Sequence, residues 1–226
     1  MSETTPELPN PCRAILFDFD GTLADSYQAI TASVNYVRAS HQLADLSLES
    51  VKKQVGHSPV HLLSKTVGIG DPETNLKLYR EHHPTVMLHQ THLLPGAREV
   101  LETVRRLGMK SAITSNKPRA YNEKILKHLG IDHFFETVLG PEDVPHRKPA
   151  PDMLLTAIQR LGVSKETTLY VGDMSVDVQT AQAAQIQVWV VPTGSEDREK
   201  ILESQPGYLL ENLDELTAKL NAQIKV

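Results

Sequence analysis

Two hydrophobic periodicities divide this chain. Near the N-terminus the run AILF (residues 14–17) is apolar without interruption, the pattern of a short strand buried on both faces. From Ser26 the spacing changes. Tyr27, Ile30, Val34 and Val37 recur every three or four residues, which predicts a helix with one apolar face. Leu48, Val51 and Val55 fall on one further helical stripe. Pro59, directly after Ser58, opens PVHLLSKTV, which Gly68 closes. Asp71-Pro72 opens ETNLKLYREHH, and Pro84 is expected to break or kink that helix. Residues 26–92 thus read as all-helical, with no strand.

From LLPGAREVLETVRRLG onward the two patterns alternate. A helix carrying Ala97, Val100, Leu101 and Val104 is followed by the strand KSAIT, then by a helix carrying Tyr121, Ile125, Leu126 and Leu129. The strand TVLG, the helix DMLLTAIQRLG, the strand TLYVGD, the helix SVDVQTAQAA, the strand VWVV and a closing helix NLDELTAKL follow in order. Short apolar strands alternating with helices imply an α/β fold, a parallel sheet with helices on both faces. AILF belongs to that sheet. The core then comprises residues 11–25 and 93–224, interrupted by an all-helical insert at 26–92.

Composition narrows the class. At 226 residues, 40% hydrophobic and 23% charged, the chain reads as a soluble globular protein with a sizeable core. A net charge of −5 without a basic block argues against nucleic acid or an anionic membrane as partner. No apolar run approaches the roughly 20 residues of a membrane-spanning helix. The start, MSETTPELPN, lacks the basic and apolar stretches of a signal peptide and reads as a flexible tail over residues 1–10. Cys12 is the only cysteine, so no intramolecular disulfide forms and a reducing, cytoplasmic compartment fits.

In an open parallel sheet, ligands bind beyond the carboxyl ends of the strands. Four polar groups fall there. Asp18 and Asp20 follow AILF, with Gly21 and Thr22 turning the chain away. Thr114, Ser115, Asn116 and Lys117 follow the next core strand, Lys148 lies in the loop after TVLG, and Asp173 follows TLYVG with Asp177 four residues on. Each has a plain alternative: Asp-x-Asp is often a turn, Thr-Ser-Asn a helix cap, and a lone lysine before proline is usually solvated. Their occurrence together, in order, favours chemistry. Side chains two apart on a strand share a face, so Asp18 and Asp20 are expected to crowd each other. Four carboxylates suit Mg²⁺, which takes a few carboxylates and keeps room for water and phosphate. A hydroxyl, backbone N–H groups and a lysine hold phosphate oxygens and offset charge during phosphoryl transfer. A carboxylate can serve as nucleophile and its neighbour as acid and base.

DFDGTLADS, ITSNKP, RKPAPDML and VGDMSVDV resemble, in order, the four motifs of the haloacid dehalogenase superfamily, over about Arg13 to about Leu220. The chain most resembles the phosphoglycolate phosphatase-like branch, with a helical cap after the first motif. The resemblance implies a Rossmann-like core and a set of roles. Asp18 is the nucleophile and a Mg²⁺ ligand; Asp20 is the general acid/base, its backbone carbonyl also reaching the metal. Ser115 and Asn116 bind the phosphoryl group, with Gly21 and Thr22 beside it, and Lys148 stabilises charge. Asp173 is a metal ligand, with Asp177 behind it. The adjacent hydroxyls of Thr114 and Ser115 leave the phosphate-binding one open by one position.

An aspartate at position 20 favours phosphate-ester hydrolysis over dehalogenation within such a family, and a small phosphorylated metabolite, phosphoglycolate first, is the implied substrate. Pyrophosphatase and phosphosugar mutase are the alternatives. The mutase ranks lower because VGHSPVHLL lacks the arginine of its Gly-x-x-Arg-type cap signature. A non-catalytic binding protein ranks last, since every catalytic side chain is present.

The expected cap contacts are Gly56, His57 and Ser58, with Ser26 and Tyr27 second; Ser58 also reads as the cap of the helix that Pro59 opens. The histidines at 82, 83, 89 and 92 read as surface and linker residues. PTGSEDREK after VWVV replaces the small-residue loop expected there, and Trp189 reads as core.

Overall fold

The computed structural model describes residues 7–56 and 58–222. Strand β1 (Ala14–Phe17) is buried along its whole length. A two-residue strand, β2 (Ala24–Asp25), leads into helices α1 (Tyr27–Ser40), α2 (Leu48–Lys52), α3 (Pro59–Thr66) and α4 (Pro72–Val86). Strand β3 (His92–Leu93) ends this block. Then α5 (Ala97–Arg106), β4 (Lys110–Thr114), α6 (Arg119–His128), β5 (Thr137–Leu139), α7 (Asp152–Leu161), β6 (Thr168–Gly172), α8 (Ser175–Ala184), β7 (Gln187–Val190), α9 (Arg198–Glu203), β8 (Tyr208–Leu209) and α10 (Leu213–Ala222) alternate.

Six strands form one parallel sheet in the order β5-β4-β1-β6-β7-β8. β1 lies inside it, with Leu16 opposite Ala112 on β4 and Tyr170 on β6. The period of two in β1 shows directly in the packing. Ile15 and Phe17 join Val100, Leu101, Ile125, Leu126 and Leu216 on one face. Ala14 and Leu16 join Met153, Leu154, Ala157, Val178 and Ala181 on the other. Helices α5, α6 and α10 thus cover one face and α7 and α8 the other, which gives the α/β core its three layers.

The helical block has its own apolar centre: Ile30, Val34 and Val37 of α1 meet Val51, Leu62, Leu63 and Tyr79. Leu48 does not share it and is 44% exposed, because α2 is only five residues long. Pro84 does not end α4, which runs on to Val86 with the N–H of Met87 bonded to the carbonyl of His83 at 3.0 Å. Packing of Tyr79, His83 and Met87, all buried, outweighs the one hydrogen bond that proline forfeits. The block is also not free of strand. β2 and β3 pair antiparallel where it leaves and rejoins the core, with Ala24 opposite Leu93.

The start of the chain differs from the tail expected of residues 1–10. Leu8 and Pro9 are buried, Leu8 packs into the core, and Gln187 donates a hydrogen bond to the Glu7 carbonyl at 2.7 Å. Residues 1–6 lie outside the described residues.

Candidate active site

The strand order reverses at β1, and the loops leaving β1, β4, β5 and β6 meet at its carboxyl end. β1 stops at Phe17, and the N–H groups of Thr22, Leu23 and Ala24 all return to the carbonyl of Phe19. This tight turn ends the strand's alternation before Asp20. Asp18 and Asp20 therefore part instead of crowding, and their carboxylates enter two different networks.

Asp18 joins Asp173 and Asp177, one oxygen of each lying within 4.8 Å of the others. Lys148 is buried between them, its Nζ 3.0 Å from Asp18 Oδ1 and 2.8 Å from Asp177 Oδ1. Burial opposes the charge on this lysine, but Asp177 and Asp18 outweigh it and raise its pKa. Asp177 is saturated with donors. Its Oδ1 also accepts from the buried Tyr170 hydroxyl at 2.6 Å, and its Oδ2 accepts from the N–H groups of Asp173 and Met174 at the start of α8. Asp173 is the opposite case. Thr22 donates to its Oδ1 at 2.8 Å, while its buried Oδ2 has no hydrogen-bond partner. Burial, then Asp177 and Asp18, push the Asp173 carboxyl well above the usual range; burial and Asp177 likewise raise Asp18 to about 6 against the pull of Lys148.

Among the described residues one ammonium faces these three carboxylates in a largely buried site, and a cation would relieve their mutual repulsion. A hard divalent cation fits this oxygen set, with Asp173 Oδ2 and Asp18 open toward it and Asp177 already filled.

Asp20 is held elsewhere: Lys117 Nζ lies 2.6 Å and Ser26 Oγ 2.5 Å from its Oδ1. Ser115 lines the adjoining cavity, whereas the Thr114 hydroxyl points back to the Phe17 carbonyl at 3.4 Å. Asn116 bonds both backbone groups of Lys148, donating to its carbonyl and accepting its N–H. Gly21 and Thr22, expected beside the substrate, face Asp173 instead. Gly21 has φ +87°, and a Cβ there would lie 2.4 Å from Asp173 Oδ2.

Sequence reasoning named Lys117 without giving it a role, missed Tyr170, and marked the loop after β7 only as a departure from the loop expected there. That loop packs against Asp173, the turn after β1 and the helical block. Thr193 donates to the Gly21 carbonyl at 2.5 Å, and Ser195 donates to the Val55 carbonyl of the helical block at 3.3 Å. At Gly194 a Cβ would fall 1.8 Å from Asp173 Oδ2. Gly194→Ala is therefore expected to displace Asp173 and to raise roughly tenfold the divalent-ion concentration that gives half-maximal activity, read from a metal titration.

The helical block closes the cavity from above. Ser58 is confirmed as the N-cap of α3, accepting from the His61 N–H at 3.2 Å, and also lines the cavity with Gly56. Ser26 and Tyr27 do not line it: Ser26 serves Asp20, and the buried Tyr27 ring carries Lys52 at 4.6 Å. His57 lies outside the described residues. Of the four histidines read as surface, His83 is not; it is buried and lines the cavity.

A family model described as haloacid dehalogenase-like hydrolase matches residues 15–191. The chain belongs to that family. This hydrolase is 29% identical over 217 residues to phosphoglycolate phosphatase 1 of Pseudomonas aeruginosa, covering 90% of this chain and 78% of the relative. It is 30% identical over 203 residues to a relative from Caldanaerobacter subterraneus subsp. tengcongensis named as a pyrophosphatase, covering 90% of this chain and 92% of the relative. A crystal structure titled as a haloacid dehalogenase-like hydrolase of Bacteroides fragilis superposes with a TM-score of 0.85 at 30% identity, over 91% of this hydrolase and 99% of that chain.

Proposed function

We propose that this hydrolase is a Mg²⁺-dependent phosphatase that cleaves small phosphomonoesters through an aspartyl-phosphate on Asp18. The observation that carries the reading is Lys148 locked between Asp18 and Asp177 while Asp173 Oδ2 stays buried and unpaired. Asp18 and Asp173 would hold the cation, which supplies neutralising charge to the phosphoryl oxygens.

An Asp18 oxygen attacks phosphorus. The bond from phosphorus to the leaving oxygen breaks as Asp20 gives that oxygen a proton. Asp20 then takes a proton from water, whose oxygen attacks the aspartyl-phosphate, releasing phosphate and restoring Asp18. Lys117 and Ser26 hold the Asp20 carboxylate in place for both transfers. The Ser115 hydroxyl and its neighbouring N–H groups receive phosphoryl oxygens, and Asn116 fixes the backbone of Lys148.

In this reading residues 11–25 and 93–224 form the core, and residues 26–92 form a cap that excludes water during chemistry. A reducing, cytoplasmic setting suits the free, buried Cys12, and no described helix is long and apolar enough to cross a membrane. Phosphoglycolate and pyrophosphate are the first compounds to test, because relatives carry those names. Chelation is expected to lower phosphate release at least about a hundredfold, with Mg²⁺ restoring it. Release indifferent to chelator would remove the cation from the reading.

A further inference from the structure

We propose that the cap selects an uncharged leaving alcohol bearing a hydroxyl beside a ring or other apolar face, and that His83 binds the hydroxyl. The inference rests on the phosphatase reading and narrows its substrate class.

The first support is where charge lies. Among the described residues, the cavity between core and cap is lined by four charged side chains, Asp18, Asp20, Lys117 and Lys148, all from the core. Both lysines are already engaged by aspartates. The cap contributes Ile30, Val55, Pro59, Leu62 and Tyr79, with Gln54 and Ser58 as neutral polar groups. Lys52, the cap cation that reaches the site loop, is turned to the Tyr27 ring and the Thr193 carbonyl and does not line the cavity. Among the described residues, no cap side chain carries a charge that would meet a carboxylate or second phosphate on the leaving group.

The second support is His83. It is 1% exposed, lines the cavity, and its Nε2 is buried without a hydrogen-bond partner. A core histidine with a purely structural part would have that atom satisfied. Its Nδ1 lies 3.0 Å from Ser33 Oγ, and the Ser33 hydroxyl donates to the Ala29 carbonyl at 2.9 Å. Ser33 therefore accepts from the ring, with His82 Nδ1 at 3.3 Å on the same oxygen. This assigns the hydrogen to Nδ1 of His83 and leaves Nε2 as an acceptor. Burial, with the Lys117 ammonium, lowers the His83 pKa to about 3 against the opposing pull of Asp20, so the ring is neutral at neutral pH. The ring stacks on Tyr79 at 5.2 Å and tilts against Tyr121 at 5.6 Å, both of which also line the cavity. A neutral acceptor between two aromatic rings suits a hydroxyl on a molecule with an apolar face.

The test uses the full chain with Mg²⁺. kcat/KM is measured for phosphoglycolate, pyrophosphate, phenyl phosphate, a pyranose 6-phosphate and a nucleoside 5′-monophosphate, on wild type and His83→Phe, which keeps a flat ring and loses the nitrogens. The hydroxylated, uncharged-leaving esters are expected to exceed phosphoglycolate and pyrophosphate at least tenfold. In His83→Phe the advantage of the better hydroxylated ester over phenyl phosphate is expected to fall about tenfold, mainly through KM. A wild-type preference for phosphoglycolate overturns the inference while leaving the phosphatase reading intact, and so does an unchanged ratio in a folded His83→Phe; a preference for pyrophosphate overturns both. No release from any compound overturns the phosphatase reading and this inference with it.

Discussion

Asp18→Asn is expected to abolish phosphate release, by on the order of 10⁴-fold or more, without unfolding the protein. Asparagine has the shape of aspartate and fits the same space against Lys148, but its amide is no nucleophile toward phosphorus. The fold should survive because Asp18 stands in a crowd of like charge. Asp173 and Asp177 are close, Lys148 retains Asp177 as a partner at 2.8 Å, and one negative charge fewer relieves the cluster. Phosphate assays beside a thermal unfolding midpoint separate the two effects. Turnover within tenfold of wild type, at an unchanged midpoint, would take Asp18 out of the chemistry.

Lys148→Met is expected to cost stability as well as activity. Methionine fills a similar volume but strips the one ammonium that, among the described residues, meets these three carboxylates. Breaking a buried pair from one side typically costs about 3–5 kcal/mol, because the surviving charge is left uncompensated. A divalent cation should then matter more to the variant than to wild type, since it meets a more negative cluster and binds only the folded form. Urea unfolding with Mg²⁺ and with chelator provides the check. The gap between variant and wild type should narrow in Mg²⁺; a gap that ignores the ion, or one well under 1 kcal/mol, would mean that Lys148 does not hold this cluster together.

Much of this architecture is legible in the sequence, for identifiable reasons. Strands buried on both faces leave apolar runs, so AILF, TLYVG and VWVV stand out, and the shorter apolar runs in KSAIT and TVLG mark the strands beside them. The segment YLL does not, because β8 is a two-residue edge strand with too little sequence to carry a period. β2 and β3 escape for the same reason. Pro84 misleads because a proline's local penalty is visible in sequence, whereas the packing that overrides it is not.

The site divides in the same way. Position after a strand singled out Asp18, Ser115, Lys148 and Asp173, and the fold gathers them at the carboxyl end of β1. The separation of Asp20 from Asp18 depended on where β1 stops, which the alternation rule cannot say. The partners Lys117, in the loop after β4, and Tyr170, on β6, lie outside the elements that carry Asp20 and Asp177, so only the assembled fold reveals them. His83 was obscured by its neighbours, three other histidines with no shared spacing, of which His89 and His92 are exposed.

The place of β1 in the sheet has a consequence for how the chain is made. β1 is synthesised first, yet its partners are Lys110 to Ile113 on one side and Thr168 to Val171 on the other. No nearby segment can complete it, and loop-closure entropy must be overcome before either pairing forms. The helices of the insert meet mainly one another, α1 against α4 and α2, and can gather around their own apolar centre while the first strand waits. On a ribosome the aspartate that this reading makes the nucleophile thus emerges long before the lysine and the second aspartate that complete its cluster.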